Sequence, residues 1–184
     1  HVKLADQARD SFRRRFSRSD VEHLADVIDG PEGDDWTLRP NQVFAVSLPY
    51  PLLDGDTAKR VVGSTARALL TSYGLRSLDP DHVAYTGTYT GTPVERDSVY
   101  HQGPVWTWLL GAYVEAHHRV YGDKDAALAL LRPIGHHLCD AGLGSVSEIL
   151  EGDPPHLPRG AVAQAWGVAE LLRVWRLLDP AVRV

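Results

Sequence analysis

Three segments of the chain gather side chains that can do chemistry. Arg39-Pro-Asn-Gln42 offers forked and paired donors of the kind that bind sugar hydroxyls or a carboxylate, although the same residues suit a plain helix start. Arg96-Asp-Ser-Val-Tyr-His-Gln-Gly-Pro-Val-Trp-Thr-Trp108 sets Tyr100, His101, Gln102, Trp106 and Trp108 close together at an expected loop-to-helix junction. Aromatic faces stack on the apolar side of a sugar ring while polar tips take its hydroxyls, so the mixture suits a small polar ligand. Trp106 and Trp108 stand two apart on an expected helix, where they cannot share a face, so one of them is assigned to the core. The third segment, Gly142 to Arg159, puts Glu148, Glu151, Asp153, His156 and Arg159 on a loop defined by glycine and proline. A carboxylate fixed on such a loop can act as an acid or a base, and a solvated acidic loop has the same composition.

The elements that must position these segments read as helices. Leu4, Ala8, Phe12 and Phe16 follow helical spacing over Lys3 to Phe16. Pro40 opens a helix that Pro49 and Pro51 end. Further helices are expected over Asp56 to Thr71, Val105 to Tyr121, Asp123 to Leu138 and Ala161 to Leu178. Tyr73 to Asp97 and Ala141 to Arg159 show no 3.6-residue period. They read as loops with short extended pieces, and irregular stretches of that length are often functional. Strand-rich folds do not fit this pattern; an all-α architecture with functional loops at helix ends does.

Composition removes several classes. The chain has 184 residues, 43% of them hydrophobic and 23% charged, enough for one domain with a core. No uncharged apolar run approaches the roughly 18 residues of a membrane span. A net charge of −5, with Arg13, Arg14 and Arg15 as a solvated helix face, gives no nucleic-acid footprint. The single cysteine, Cys139, excludes a disulfide framework and thiolate zinc sites, and reads as a small buried residue. The pairs His117-His118 and His136-His137 read as helix-surface or core histidines; no metal or cofactor is implied. Neither a phosphate loop nor a Gly-x-Ser-x-Gly elbow occurs. The chain begins with His1 and has no methionine, so its N-terminus is expected to be processed or cut.

At the three segments the sequence resembles the C-terminal amylo-α-1,6-glucosidase domain of bacterial and archaeal glycogen debranching enzymes. The resemblance rests on Leu38-Arg-Pro-Asn-Gln-Val-Phe-Ala45, Tyr73-Gly-Leu-Arg-Ser-Leu78, Tyr100-His-Gln-Gly-Pro-Val-Trp106, Ser147-Glu-Ile149 with Gly152-Asp-Pro154, and Pro158-Arg-Gly160 leading into Ala163-Gln-Ala-Trp166. These pieces keep the family's order from Trp36 to Trp175. The resemblance implies an (α/α)6 barrel of the glucoamylase-like kind, and removal of the α-1,6-linked glucose of a trimmed branch point with inversion. It implies Glu148 as general base. It further implies Arg39, Asn41, Gln42, Tyr100, His101, Gln102, Trp106 and Gln164 as substrate-binding residues, with Asp153, His156 and Arg159 shaping the base loop beside them. The partner is then an α-glucan such as glycogen or limit dextrin, in the cytoplasm. Inverting glycosidases separate two carboxyl groups by roughly 6.5–9.5 Å to admit a water.

The family's general acid, an aspartate in a Trp-Met-Asp type motif, lies upstream of every residue here. Asp34, Asp35, Glu95 and Asp97 have no motif support as replacements. About half the helices of a full barrel are present. Residues 1–184 are thus expected to form one incomplete domain, the C-terminal half of a catalytic domain, inactive alone, with an apolar face open to self-association. Thr107, Leu150-Glu151 and Ala161 depart from the family pattern without an expected contact to Glu148. Two alternatives stay open: a non-catalytic helical carbohydrate-binding or assembly module, and a related (α/α)6 glycosidase with another linkage preference.

Overall fold

A computed structural model describes residues 2–181 of the chain. In chain order the helices are α1 (Val2–Phe16), α2 (Phe44–Ser47), α3 (Gly55–Ala68), α4 (Pro93–Val99), α5 (Leu109–Tyr121), α6 (Lys124–Ala129), α7 (Arg132–Asp140) and α8 (Ala165–Leu178), with a 3-10 turn over Pro40–Val43 before α2. The strands are β1 (Val27–Gly30), β2 (Gly33–Asp35), β3 (Leu75–Arg76), β4 (Val105–Trp106), β5 (Ile149–Leu150) and β6 (Pro158–Arg159).

Helix α5 organises the interior. Leu109 through Ala116 are buried without a break, as expected for a helix covered on all sides. One side of it packs with Val43, Val46, Val61, Val62, Leu69 and Ile149. The other side, carrying Leu110 and Val114, packs with Leu131, Ile134, Leu171 and Val174. Gly122 ends the helix in the left-handed conformation, with φ 71°. Glu115, buried on the same helix, accepts from Arg119 at 2.9 Å and from Arg173 of α8 at 2.7 Å.

The described residues are rich in helix, as the sequence implies, and small sheets are added to the helices. β3, β4, β5 and β6 form an antiparallel four-stranded sheet of two-residue strands, in that order. Trp106 pairs with Leu75 on one side and Ile149 on the other, and Ile149 pairs with Arg159. Segments far apart in sequence are thereby laid side by side. β1 and β2 make a separate hairpin. Val105–Trp106 is strand, so the helix expected from Val105 begins only at Leu109. The single helix expected over Asp123 to Leu138 is two, α6 and α7, with Pro133 in the first turn of α7, where its missing N–H costs nothing. Helix α4 lies inside a stretch read as loop. Its signal was present: Thr92 and Glu95 form a reciprocal capping box ahead of Pro93. Cys139, expected inside, is exposed.

The outer side of α8 is apolar and open, with Trp166, Leu172, Trp175 and Leu177 all more than 40% exposed. Helix α1 buries no residue. No described helix is long and apolar enough to cross a membrane.

The two faces of the α5–α8 pair make opposite predictions. Leu110→Ala removes a fully buried side chain and should destabilise by about 2–5 kcal/mol. Leu172→Ala on the open side should change stability by less than about 0.5 kcal/mol. Urea unfolding of both variants checks the contrast.

Candidate active site

Glu148 is the centre of a converging set of donors. The Tyr100 hydroxyl donates to Glu148 Oε1 at 2.5 Å, and the Gln164 side-chain amide donates to the same oxygen at 3.1 Å. The Ala161 backbone N–H donates to Oε2 at 2.9 Å. The three donors come from three places: the end of α4, the strand-exit loop after β6, and the residue preceding α8. Gln164 occupies the N-cap of α8 but makes no capping bond, its amide being turned to Glu148 instead. Burial, and then the Glu148 carboxylate, raise the Tyr100 phenol well above its ordinary value, so it remains a donor across the working pH range.

The backbone of the carboxylate is held as firmly as its side chain. Thr107 Oγ1 donates to the Ser147 carbonyl at 2.8 Å and reaches the Glu148 carbonyl at 3.2 Å. The Ser147 N–H donates to His137 Nε2 at 3.1 Å. Both polar ends of residue 147 are therefore bound by buried side chains, one from the β4–α5 junction and one from α7. Gly160, with φ 67°, passes so close that a Cβ there would run into the Glu148 carboxylate. Thr107 and Ala161 thus do touch Glu148, through its carbonyl and its carboxylate, which corrects the expectation that these departures leave it alone.

Around this centre the predicted residues divide. Tyr100 packs against Trp106 with ring centroids 4.8 Å apart, and His101 stacks on Trp106 at 5.1 Å and 7°. Arg39 donates to the Ser77 carbonyl at 3.0 Å, the His101 carbonyl at 2.7 Å and Gln102 Oε1 at 2.8 Å. Its guanidinium is occupied in fixing the Tyr100-His101-Gln102 segment. Gln42 is buried, accepting from the Leu24 N–H and donating to the Arg39 carbonyl. Asn41 lines a cleft of about 250 Å³ with Arg39, His101 and Trp106.

Asp153, His156 and Arg159 form a second group that no hydrogen bond joins to the Glu148 carboxylate. Arg159 donates from Nε and Nη2 to Glu151 Oε1 at 3.0 and 2.9 Å. His156, at φ 61°, bonds the Glu151 carbonyl through Nδ1 at 2.9 Å. The Tyr85 hydroxyl donates to Asp153 at 2.9 Å, and burial followed by this bond pushes the phenol up to about 12. Glu151, buried at the heart of this group, orders the loop that follows β5.

None of the four alternative acids gains support. Glu95 is held below its ordinary value by the Thr92 cap, and Asp35 by its bonds to Thr37, the reverse of what an acid needs. Asp34 accepts from the Asp29 N–H in the hairpin, and Asp97 stays on α4. Asp26 is raised by burial, with Arg39 opposing, but it faces the groove beneath α1. No group of three or more potential metal ligands gathers among the described residues.

Residues that sequence reasoning missed include His137, Thr107, Tyr85 and Trp166. Trp166, whose apolar helical neighbours Val162, Ala169 and Leu172 make core packing the expectation from sequence, is 51% exposed and stacks on Trp108 at 4.0 Å. Trp108 and Trp106 both line the cleft, because the strand–helix junction between them removes the helical geometry that would have kept them apart.

His137 supplies a pH prediction. Burial lowers its basicity below the ordinary value, with Asp140 opposing. The native state holds the neutral ring, so its stabilisation is complete above about pH 6.5 and declines as pH falls below that toward the lower native value. His137→Gln keeps an acceptor at similar reach and does not titrate. Its urea midpoint should therefore fall less than the wild type's between about pH 7 and 5.5; equal losses would refute the assignment.

A profile of the Amylo-alpha-1,6-glucosidase family matches residues 1–173. A glycogen debranching enzyme of Saccharomyces cerevisiae (strain ATCC 204508 / S288c) is 30% identical over 98 residues. That alignment takes in 50% of this chain and 6% of the yeast protein. The segments that carry the donors to Glu148 all lie within the family match, and the chain belongs to the amylo-α-1,6-glucosidase family.

Proposed function

We propose that this chain carries the general base and part of the sugar site of an inverting glycosidase that removes α-1,6-linked glucose from branch points of an α-glucan. The observation that carries this reading is the Glu148 carboxylate, fixed by three donors from separate segments. Glu148 takes a proton from water as the water oxygen attacks the anomeric carbon. The glycosidic oxygen leaves on the opposite face, protonated by an acid. Tyr100 and Gln164 keep the carboxylate aimed; Thr107 and His137 keep its backbone in place. His101, Trp106 and Asn41 face the sugar. Asp153, His156 and Arg159, gathered on Glu151, shape the loop that carries the base.

The acid comes from residues preceding these in a longer protein, and the match to the amylo-α-1,6-glucosidase family supports an α-glucan as substrate. The open apolar side of α8 supports a face that is covered in the working enzyme, by the rest of the barrel or by a second copy.

Glucose release from an α-1,6-glucosyl limit dextrin tests the reading. A protein extended through the upstream segment should release glucose, and Glu148→Gln in it should lower kcat about 10²–10⁴-fold with little change in binding. This chain alone should release none. Release by the chain alone would place the acid within these residues. Undiminished release by the Glu148→Gln protein would remove Glu148 from the base role.

A further inference from the structure

We propose that the cleft lined by two aromatic stacks, Trp108–Trp166 and His101–Trp106, is a glycosyl-binding subsite whose platform is Trp166. The proposal rests on the glucosidase reading above and adds to it a residue that the sequence assigned to the core.

Trp166 presents an unusual surface. It lies on Trp108 at 4.0 Å and 20°, and Trp108 lies on Phe44 at 5.6 Å and 20°. The three rings form a pile whose outer member is 51% exposed. A large aromatic ring that is fixed from behind and open in front is a preformed surface that gains by being covered. A second stack lines the same cleft, with His101 nearly parallel to Trp106 at 7°. Arg39, Asn41 and Ser77 supply the polar lining.

The polar lining has two parts with different duties. Arg39 is engaged by two backbone carbonyls and the Gln102 side chain. The Asn41 side chain makes no hydrogen bond among the described residues, so its amide can both donate to and accept from a hydroxyl. A pyranose ring has the matching chemistry: a flat apolar C–H face for the indole and a polar edge for the amide. The volume, about 250 Å³, lies below the range of drug-sized pockets and suits one ring rather than a chain.

The cleft is tied to Glu148 by two routes. Gln164, which donates to Glu148, stands two residues before Trp166 at the start of α8. Tyr100, which also donates to Glu148, packs on Trp106 of the second stack. The elements that aim the carboxylate therefore also set the two stacks.

Calorimetric titration of this chain with isomaltose tests the proposal. Trp166→Ala should weaken binding about tenfold or more, and Trp166→Phe should restore most of it. Trp175→Ala removes another exposed tryptophan of the same helix, outside the cleft lining, and should bind as wild type does. Circular dichroism identifies any variant that fails to fold, and Trp166→Phe then decides alone. Wild-type affinity in Trp166→Ala would overturn the subsite while leaving the glucosidase reading intact. Failure of the wild-type chain to bind isomaltose would overturn the subsite and count against a sugar site in this chain.

Discussion

The hydrogen bonds that converge on Glu148 set the demands on the rest of the structure. Their donors lie 48 residues before it and 13 and 16 residues after it. Such a carboxylate can be fixed only if the backbone at all three places is fixed first, because each loop closed to bring them together costs entropy. The small sheet does this work. Its register lays Trp106 beside Ile149 and Ile149 beside Arg159, so that residues 106, 148 and 160 come together as neighbours. Four strands of two residues would be marginal on their own. They are held because Leu75, Trp106 and Ile149 belong to the main core cluster that α5 anchors.

A second constraint operates one residue upstream. The N–H and C=O of Ser147 are buried and must find partners. They find His137 and Thr107 rather than a longer sheet ladder. A side chain chosen for that purpose is more specific than a ladder, since it fixes one peptide and leaves the adjoining loop free to turn. This explains how a carboxylate can sit on an irregular segment and still be held in one position, as a proton transfer requires. Helix α5 links the two arrangements: its N-terminal junction carries Thr107, and its body packs against α8, whose first turn presents Gln164 and Trp166.

Much of this was legible in the sequence, for identifiable reasons. The long helices α1, α3, α5 and α8 have a clear apolar period, and their existence follows from it. Glu148 stands in a segment rich in glycine and proline with no 3.6-residue period, so its non-helical setting was readable. The strands were not readable, because two residues carry no alternation; their partners are set by tertiary packing. Val105 and Trp106 were absorbed into the helix that follows for that reason; Trp106 is nonetheless core, as expected of one of the two tryptophans, although both line the cleft. Trp166 was misplaced by its apolar helical neighbours, since periodicity reports which residues are apolar and not which side is covered. His137 and Arg39 act on backbone atoms, and no side-chain pattern in the sequence encodes a bond to a distant peptide group.

The central claim is that these residues hold a working base without its acid. A glucosyl donor whose leaving group needs no protonation isolates that claim, and α-glucosyl fluoride is such a donor. The account predicts that this chain hydrolyses α-glucosyl fluoride, that the first sugar seen by proton NMR is β-glucose, and that Glu148→Gln removes the reaction. Fluoride release no faster than that of the Glu148→Gln variant, or α-glucose as the first product, would contradict it.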